Sequence, residues 1–535
     1  MELSPSAHLD TFCRDNLPPA EQWPRLQFTL PELDYPARLN CAVALLDETV
    51  RTRGGDPPCL RSPTEIWTYG DLLGRANQVA QVLTDDLGLV PGQRVLLRGP
   101  NNPWLVACWF GVLKAGGVVV TTMPLLRRGE LETLIELTRP TILLCDHRLV
   151  EDLAHAAPGL PLIRFGGGNE TDLIRRCAGK DGSFQNVDTA ADDVALLAAT
   201  SGTTGTPKVT MHFHRDVLAI ADTFSNHILK PEPTDIFTGS PPLAFTFGLG
   251  GLVVFPLRAG ASTLLLERAT PPELADAVQE HGATVLFTAP TAYRAMLRAG
   301  KAANLKGIRR AVSAGEHLPQ AVWQGFLDTT GVRIIDGLGT TEMLHIFVSA
   351  ADDDIRPGAT GRAVPGYETA VLDVDGQPVP DGTPGRLAVV GPTGCRYLAD
   401  ARQTSYVQHG WNITGDTYIR DADGYLWYQA RSDDMIITAG QNIGPPEVEW
   451  ALEQHPDVAE CGVVGRPDEE RGMIVYAVVV LRDGVVGDAA KVVELQGFVK
   501  GLIAPYKYPR VIEFADSLPR TATGKLQRFH LREAP

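Results

Sequence analysis

Between about residues 40 and 350, helical patterns alternate with short runs that are apolar at every position, and this alternation constrains the fold more than any other feature. A strand that is apolar throughout has both faces buried, which is typical of parallel sheets covered by helices. One predicted helix spans residues 69–83. The predicted strands span residues 94–97, 117–121, 141–144, 194–199, 209–213, 262–266, 284–288, 309–313 and 332–336. The sequence therefore predicts an α/β fold with mainly parallel sheets.

Two changes of pattern follow this region. Residues 367–390 form short strands punctuated by Gly and Pro, which indicates a small antiparallel or barrel-like subregion. After residue 431 the pattern becomes a compact α+β arrangement, with helices at 446–453 and 489–501 and strands at 458–464, 473–481 and 510–514. We predict a large N-terminal domain over 1–430, a hinge at 431–434 and a small mobile C-terminal domain over 435–535.

The stretch ATSGTTGTPKVT, residues 199–210, lies between two of the predicted strands. Its small residues let backbone N–H groups approach a polyanion, its hydroxyls add donors, and Lys208 supplies a point charge. The stretch therefore predicts a phosphate cradle. A flexible linker has a similar composition, but a linker is not held between two buried strands. The spacing of the Walker motif does not occur, so a P-loop ATPase is disfavoured.

Composition and cysteine spacing exclude several classes of protein. A net charge of -16 argues against nucleic acid as a partner. The eight cysteines contain no CxxC pair, which indicates reduced thiols rather than disulfides or a zinc site. The N-terminal residues lack the features of a secretory signal. The apolar stretch at 104–124 is interrupted by Lys114 and two glycines, so it predicts a buried helix and strand rather than a membrane span. We expect a soluble cytoplasmic protein without a membrane partner.

Four further polar stretches are candidates for chemistry: SAGEHL at 313–318, DGLGTTE at 336–342, WNITGD at 411–416 and PRTATGK at 519–525. A carboxylate beside a phosphate cradle suits Mg²⁺, which prefers hard oxygen ligands. Asp416 has the acceptors to bind both hydroxyls of a ribose. Each stretch also has an ordinary interpretation, as a turn, a cap or a solvated tail.

In this order and at roughly these spacings, TSGTTGTPK, DGLGTTE, TGD, ARSDDMIITAGQNIGPPEVE and PRTATGK resemble the motifs of the adenylate-forming superfamily, over nearly the whole chain. That superfamily includes acyl-CoA synthetases, peptide-synthetase adenylation domains and luciferases. The N-terminal region, PPLAFTFGLGG and TTEMLHIF resemble benzoate and especially 2-aminobenzoate CoA ligases. The resemblance implies an AMP-forming acid-thiol ligase that converts an aromatic carboxylic acid to its CoA thioester through an acyl-adenylate, with ATP, Mg²⁺ and coenzyme A.

The resemblance also implies roles for individual residues. Lys525 would bridge the acid carboxylate and the α-phosphate, Thr341 would contact the α-phosphate, and Glu342 would bind Mg²⁺. Asp433 would be the hinge residue, and Gly440 would line the passage for CoA. The implied nucleotide-binding residues are Thr200, Ser201, Gly202, Thr203, Thr204, Gly205, Lys208, Ala314, Gly315, Glu316, Asp336, Gly337, Leu338, Gly339, Thr340, Asp416 and Arg431.

The implied acyl pocket combines apolar walls with small residues. Phe247 and Ile346 would enclose a flat ring, and a hydroxyl at Thr246 suits an ortho amino group. His345 would orient the carboxylate or close the far end, although a buried histidine is also a common core residue. The implied pocket residues are Thr246, Phe247, Ala314, Gly339, His345 and Ile346.

Some features depart from the family pattern. Val209 and Thr210 follow Lys208 where many relatives have glycine, and Ala430 precedes Arg431 where many have glycine. Leu338 replaces a common aromatic residue. This last departure leaves the stacking partner of adenine open.

Several alternatives stay open. The enzyme could activate another aryl acid or a medium-chain fatty acid, or it could load a carrier protein instead of CoA. A different class is a nucleotide-binding scaffold protein without catalytic activity. We expect a monomer or homodimer. Arg466 and Arg471 are candidates for the CoA phosphates, and a metal site at His212 and His214 is disfavoured because no third ligand is apparent.

Overall fold

The computed structural model describes residues 3–200, 207–431, 434–438, 441–468, 471–520 and 525–533. The chain divides into two compact units. The first comprises Met1–Thr369 and Val389–Asn412, and the second comprises Ala370–Ala388 and Ile413–Pro535. Large parallel sheets in the first unit and a small α+β arrangement in the second confirm the predicted fold class. The hinge at 431–434 stays a prediction.

The strands agree closely with the apolar runs of the sequence. In chain order they are β1 (Pro58–Arg61), β2 (Ile66–Thr68), β3 (Arg94–Arg98), β4 (Val118–Thr122), β5 (Ile142–Asp146), β6 (Leu162–Phe165), β7 (Val194–Thr200), β8 (Lys208–Phe213), β9 (Ile236–Gly239), β10 (Ser262–Leu264), β11 (Val285–Thr288), β12 (Arg310–Ala314), β13 (Ile334–Gly339), β14 (Ile346–Ser349), β15 (Arg362–Ala363), β16 (Glu368–Leu372), β17 (Gly385–Val390), β18 (Val407–Gln408), β19 (Trp411–Arg420), β20 (Leu426–Arg431), β21 (Ile436–Thr438), β22 (Gln441–Ile443), β23 (Val458–Asp468), β24 (Gly472–Leu481) and β25 (Val511–Phe514).

Two large sheets form the framework of the first unit. One has the order β6-β5-β3-β4-β7-β8, in which every neighbouring pair is parallel except β7 and β8. The other has the order β15-β14-β13-β12-β11-β9-β10-β1-β2 and is parallel from β13 to β1. Every residue of β3 and β5 is buried, as expected for strands covered on both faces.

Most helices occupy segments between strands. The α-helices are α1 (Phe12–Asp15), α2 (Glu48–Arg53), α3 (Tyr69–Gln81), α4 (Pro103–Lys114), α5 (Arg128–Thr138), α6 (Val150–Ala156), α7 (Leu173–Ala178), α8 (His214–Ile220), α9 (Thr246–Leu249), α10 (Phe255–Ala259), α11 (Pro271–His281), α12 (Pro290–Arg298), α13 (Gln320–Thr330), α14 (Gln403–Tyr406), α15 (Pro445–Glu453), α16 (Ala489–Leu502) and α17 (Arg528–Glu533).

The apolar stretch at 104–124 forms helix α4 followed by strand β4, as predicted. Pro103 occupies the first helical position, and the Asn102 side chain caps the helix by accepting a hydrogen bond from the Leu105 N–H at 2.9 Å. All residues of α4 except Trp104 are buried. No helix among the described residues combines the length and the apolar character needed to cross a membrane.

Smaller sheets complete the fold. The predicted barrel-like subregion corresponds to a five-stranded sheet of order β16-β17-β19-β18, in which β20 pairs with β19. Strands β23, β24 and β25 form a three-stranded sheet in the second unit, and helices α15 and α16 contribute to the apolar core beside it.

Three of the histidines buried in the first unit have a pKa that burial lowers to about 3. They are His212, His214 and His345. The Cys41 backbone N–H donates to Nδ1 of His214 at 3.1 Å, which requires a neutral ring. The unfolded chain therefore binds protons between about pH 6.5 and pH 3 that the folded chain does not bind. Above about pH 6.5 these histidines therefore do not reduce the free energy of unfolding. As the pH falls below that value they lower it progressively.

We expect His214→Asn to reduce this acid sensitivity, because asparagine offers an acceptor in place of Nδ1 and cannot titrate. At pH 5.5 one such histidine lowers the free energy of unfolding by about 1.4 kcal/mol relative to neutral pH. The measurement is the fall in the thermal unfolding midpoint between pH 7.5 and pH 5.5. An equal fall in the variant and in the unsubstituted protein would contradict the assignment.

Candidate active site

Adjacent parallel strands bring two of the predicted nucleotide-binding segments together. In the register of β12 and β13, Ser313 lies opposite Asp336 and Ala314 lies opposite Gly337. Both strands end at the same edge of the sheet, where ligands bind in open α/β sheets. Gly315 follows β12 with a φ of +90°, which favours glycine at this turn.

The reversal from β13 to antiparallel β14 explains the small residues of DGLGTTE. Gly339 lies opposite Ile346, and a Cβ at Gly339 would come within 2.7 Å of the His345 carbonyl group. A Cβ at Gly337 would lie 2.6 Å from Cδ1 of Ile346. Glycine at both positions therefore lets the predicted acyl-pocket residues His345 and Ile346 pack directly against the nucleotide segment.

Asp336 is half-buried at this strand end. Burial raises its pKa to about 7, whereas the N–H of Gly337 and the hydroxyl of Ser313 act in the opposite direction. The Ser349 hydroxyl donates to the backbone oxygen of Asp336 at 2.6 Å, which joins β14 to β13. Leu338, Thr340, Thr341 and Glu316 are half-buried in the same region.

The hydroxyl-rich stretch connects two antiparallel strands. Thr200 ends β7 and lies directly opposite Lys208, the first residue of β8. The predicted residues Ser201, Gly202, Thr203, Thr204 and Gly205 lie outside the described residues.

A tyrosine that the motifs did not indicate joins Lys208 to Glu342. The Tyr397 hydroxyl donates to Oε1 of Glu342 at 2.6 Å, and Nζ of Lys208 donates to the same hydroxyl at 3.3 Å. Glu342 and Tyr397 are both buried. A second tyrosine, Tyr406, lies 3.2 Å from Thr340 through their hydroxyl oxygens. Neither tyrosine had a pattern in the sequence that would reveal it, because only the fold brings the 397–406 region to residues 340–342.

Glu342 has the properties of a magnesium ligand. Among the described residues it accepts the one hydrogen bond from Tyr397, which leaves Oε2 available. A single held carboxylate beside a phosphate site suits Mg²⁺, which is often bound by one or two carboxylates together with substrate phosphates. His455, Asp457 and Glu494 form another cluster of possible ligands in the second unit, but Lys491 donates to both carboxylates there.

A buried ion pair fixes the backbone next to Tyr397. The Arg396 guanidinium pairs with the Asp216 carboxylate, and neither side chain is exposed. The guanidinium also lies 4.0 Å from the centre of the Phe213 ring. Burial raises the pKa of Asp216, whereas Arg396 opposes that rise.

Aromatic rings surround His345. The rings of Phe255, Phe224, Phe247 and Phe287 have centres 4.6, 5.5, 5.6 and 6.3 Å from the imidazole centre. Gly250 permits the close approach, because a Cβ there would come within 2.3 Å of Cδ2 of His345. The structure thus brings His345, Phe247, Ile346 and Gly339 together, with Phe224, Phe255 and Phe287 as members that the motifs missed. Thr246 is half-buried at the start of α9, next to Phe247.

The second unit contains the remaining predicted residues. Asp416 is buried and lies 3.5 Å from Nη1 of Arg431, its partner in the register of β19 and β20. Lys525 is exposed. Asp433 and Gly440 lie outside the described residues.

The two arginines proposed for the CoA phosphates have contacts within the second unit. The Arg466 guanidinium donates to the Leu531 carbonyl at 2.9 Å and lies 3.5 Å from the centre of the Tyr476 ring. The Arg471 backbone N–H donates to Asp468 at 2.9 Å.

Comparison with known proteins identifies the family of this chain. Residues 46–397 match the AMP-binding enzyme family, and residues 447–525 match the AMP-binding enzyme C-terminal domain. The chain belongs to this family, the adenylate-forming superfamily that its motifs indicated. The predicted enzyme class, an AMP-forming acyl-CoA synthetase, is confirmed.

Individual relatives cover nearly the whole chain. The benzoate–CoA ligase of Thauera aromatica is 34% identical, over 95% of this chain and 98% of its own length. The crystal structure of an anthranilate CoA ligase in complex with anthranoyl-AMP is 33% identical with a TM-score of 0.88, over 94% of this chain and 98% of the other. A benzoate CoA ligase from Burkholderia xenovorans is 32% identical with a TM-score of 0.85, over 92% and 100%.

Proposed function

We propose that the protein activates an aromatic carboxylic acid of the benzoate type, in particular 2-aminobenzoate, and transfers its acyl group to coenzyme A. The observation that carries the proposal is the ring cluster around His345, a residue that comes shortly after Thr341 and Glu342 in the chain. A flat apolar ring suits walls of phenylalanine and isoleucine. Benzoate, 3-hydroxybenzoate and anthranilate CoA ligases among the relatives support the same class of acid.

The reaction needs activation, because a carboxylate oxygen is a poor leaving group. The acid carboxylate attacks the α-phosphorus of ATP, which forms the acyl-adenylate and releases pyrophosphate. The CoA thiol then attacks the acyl carbonyl, the carbon–oxygen bond to AMP breaks, and the thioester and AMP are released. The protein contributes mainly positioning and charge neutralisation.

Each residue has a role in this scheme. Lys208, with Thr200 and the stretch 201–205, holds the pyrophosphoryl part of ATP, and Thr341 contacts the α-phosphate. Adenine lies between residues 314–316 and 336–338, and Asp416 and Arg431 bind the ribose side of the nucleotide. Glu342 holds Mg²⁺, which when bound neutralises phosphate charge. A thiol of the protein is not needed, and all eight cysteines are buried.

A substrate screen tests the proposal directly. Pyrophosphate release and thioester formation are measured with benzoate, 2-aminobenzoate, hydroxybenzoates and medium-chain fatty acids, with and without CoA. We expect the highest kcat/KM with 2-aminobenzoate and a CoA thioester as product. Preference for a fatty acid would refute the aromatic pocket, and pyrophosphate release without a thioester would indicate another acyl acceptor.

The hydroxyl of Thr246 is proposed to distinguish 2-aminobenzoate from benzoate. We expect Thr246→Ala to lower the ratio of kcat/KM for 2-aminobenzoate over benzoate about three- to tenfold, because one neutral hydrogen bond contributes about 0.5–1.5 kcal/mol. Thr246→Ser keeps the hydroxyl and should retain the ratio. An unchanged ratio in the alanine variant would exclude this contact.

Lys525 is proposed to act in the first half-reaction only, and rearrangement about Asp433 then exposes the passage at Gly440 for the thiol. We expect Lys525→Ala to slow adenylation by orders of magnitude, whereas thioester formation from preformed acyl-adenylate persists. Lys306→Ala removes an exposed lysine of the first unit and serves as the matched control. Equal loss of both half-reactions in Lys525→Ala would refute the alternation.

A further inference from the structure

The Tyr397 hydroxyl lies between the carboxylate of Glu342 and the ammonium group of Lys208, two opposite charges that would otherwise pair directly. This hydroxyl donates to Oε1 of Glu342 at 2.6 Å and accepts from Nζ of Lys208 at 3.3 Å. The ammonium group also lies 5.1 Å from the centre of the Tyr397 ring. The phenol therefore uses its proton for the carboxylate and a lone pair for the ammonium group.

This arrangement replaces a salt bridge. Among the described residues, Lys208 and Glu342 form no ion pair within 4.0 Å, although each lies one hydrogen bond from the same oxygen atom. In a partly buried site their attraction is stronger than in water. A direct pair would occupy carboxylate oxygens and ammonium protons. With the phenol between them, Oε2 of Glu342 and the remaining protons of Lys208 stay available for other partners.

The position of the Tyr397 hydroxyl is fixed from several sides. Its side chain is fully buried, and its backbone N–H donates to Oε1 of Gln403 at 2.9 Å. The ring of Tyr406 lies edge-on at 5.8 Å. The preceding residue, Arg396, is held by the buried ion pair with Asp216. These contacts hold the backbone and the ring of Tyr397 in the position between the two charges.

We propose that Tyr397 is a positioning residue that holds Glu342 and Lys208 apart, so that the carboxylate faces Mg²⁺ and the ammonium group faces the phosphates of ATP. The proposal rests on the magnesium role proposed for Glu342 and is independent of which acid the enzyme activates. Removing the hydroxyl lets the lysine and the carboxylate pair directly, which opposes binding of both the metal ion and the phosphates.

The test is ATP binding to the full-length protein by isothermal titration calorimetry, without an acid substrate, in EDTA and across a series of Mg²⁺ concentrations. Mg²⁺ is expected to tighten ATP binding, and the measured quantity is the Mg²⁺ concentration that gives half of this gain in affinity. We expect Tyr397→Phe to raise that concentration about 10- to 100-fold, the range for a lost hydrogen bond to a charged group. In EDTA, Tyr397→Phe should weaken ATP binding less than it does in the presence of Mg²⁺.

Two further variants separate this role from a general loss of packing. Tyr69→Phe removes another buried hydroxyl of the first unit, one that donates to the Ala261 carbonyl at 2.7 Å, and should leave the Mg²⁺ dependence unchanged. In a Glu342→Gln background, Tyr397→Phe should cause no further change in Mg²⁺ dependence, because the two residues act as one unit.

The outcomes are distinguishable. A normal Mg²⁺ dependence in Tyr397→Phe, or equal weakening with and without Mg²⁺, overturns the role of Tyr397 alone. Mg²⁺-independent ATP binding by the unsubstituted protein overturns it together with the magnesium role of Glu342. A different preferred acid in the substrate screen would refute the proposed function and leave this result unaffected.

Discussion

The buried ion pair between Arg396 and Asp216 is the interaction on which the candidate phosphate site depends. Moving both charges out of water is costly, so the pair is weak support for stability in itself. Removing either partner would leave an unpaired buried charge, which destabilises the folded state far more than burial of the pair does. The pair thus holds the segment at 395–397 beside β8, where the Met211 N–H donates to the Arg396 carbonyl at 2.7 Å. Tyr397 follows Arg396 directly, and its hydroxyl then determines where Glu342 and Lys208 lie.

The order of the strands connects the phosphate residues to the acyl residues. Parallel β12 and β13 place Ala314 and Asp336 at one sheet edge, and antiparallel β14 returns the chain beside them. The segment between β13 and β14 contains Glu342 and His345, so one short loop reaches both the magnesium candidate and the ring cluster. Glycines 337 and 339 make this close return possible, since a Cβ at either position would collide with β14 or the residue before it.

The chemistry proposed for this site relies on placed charges rather than on a protein nucleophile. The cysteines are unsuited to covalent catalysis: burial raises the pKa of Cys13 and Cys145 to about 12, which disfavours the reactive thiolate. His345 is also held neutral, because burial lowers its pKa to about 3. It can contact an acid as a polar, uncharged ring but does not supply a positive charge at neutral pH.

The sequence by itself determined the fold class, most strand positions and the family, because apolar runs and ordered motifs are local signals. It also identified Glu342, Lys208 and His345 as candidates. Only the tertiary structure decided that Tyr397 stands between Lys208 and Glu342, that Asp216 pairs with Arg396 across 180 positions, and that Phe224, Phe255 and Phe287 enclose His345. These contacts join residues far apart in the chain through single side-chain groups. A hydroxyl or a ring carries no periodic signal, and its partner is set only when the sheets have packed.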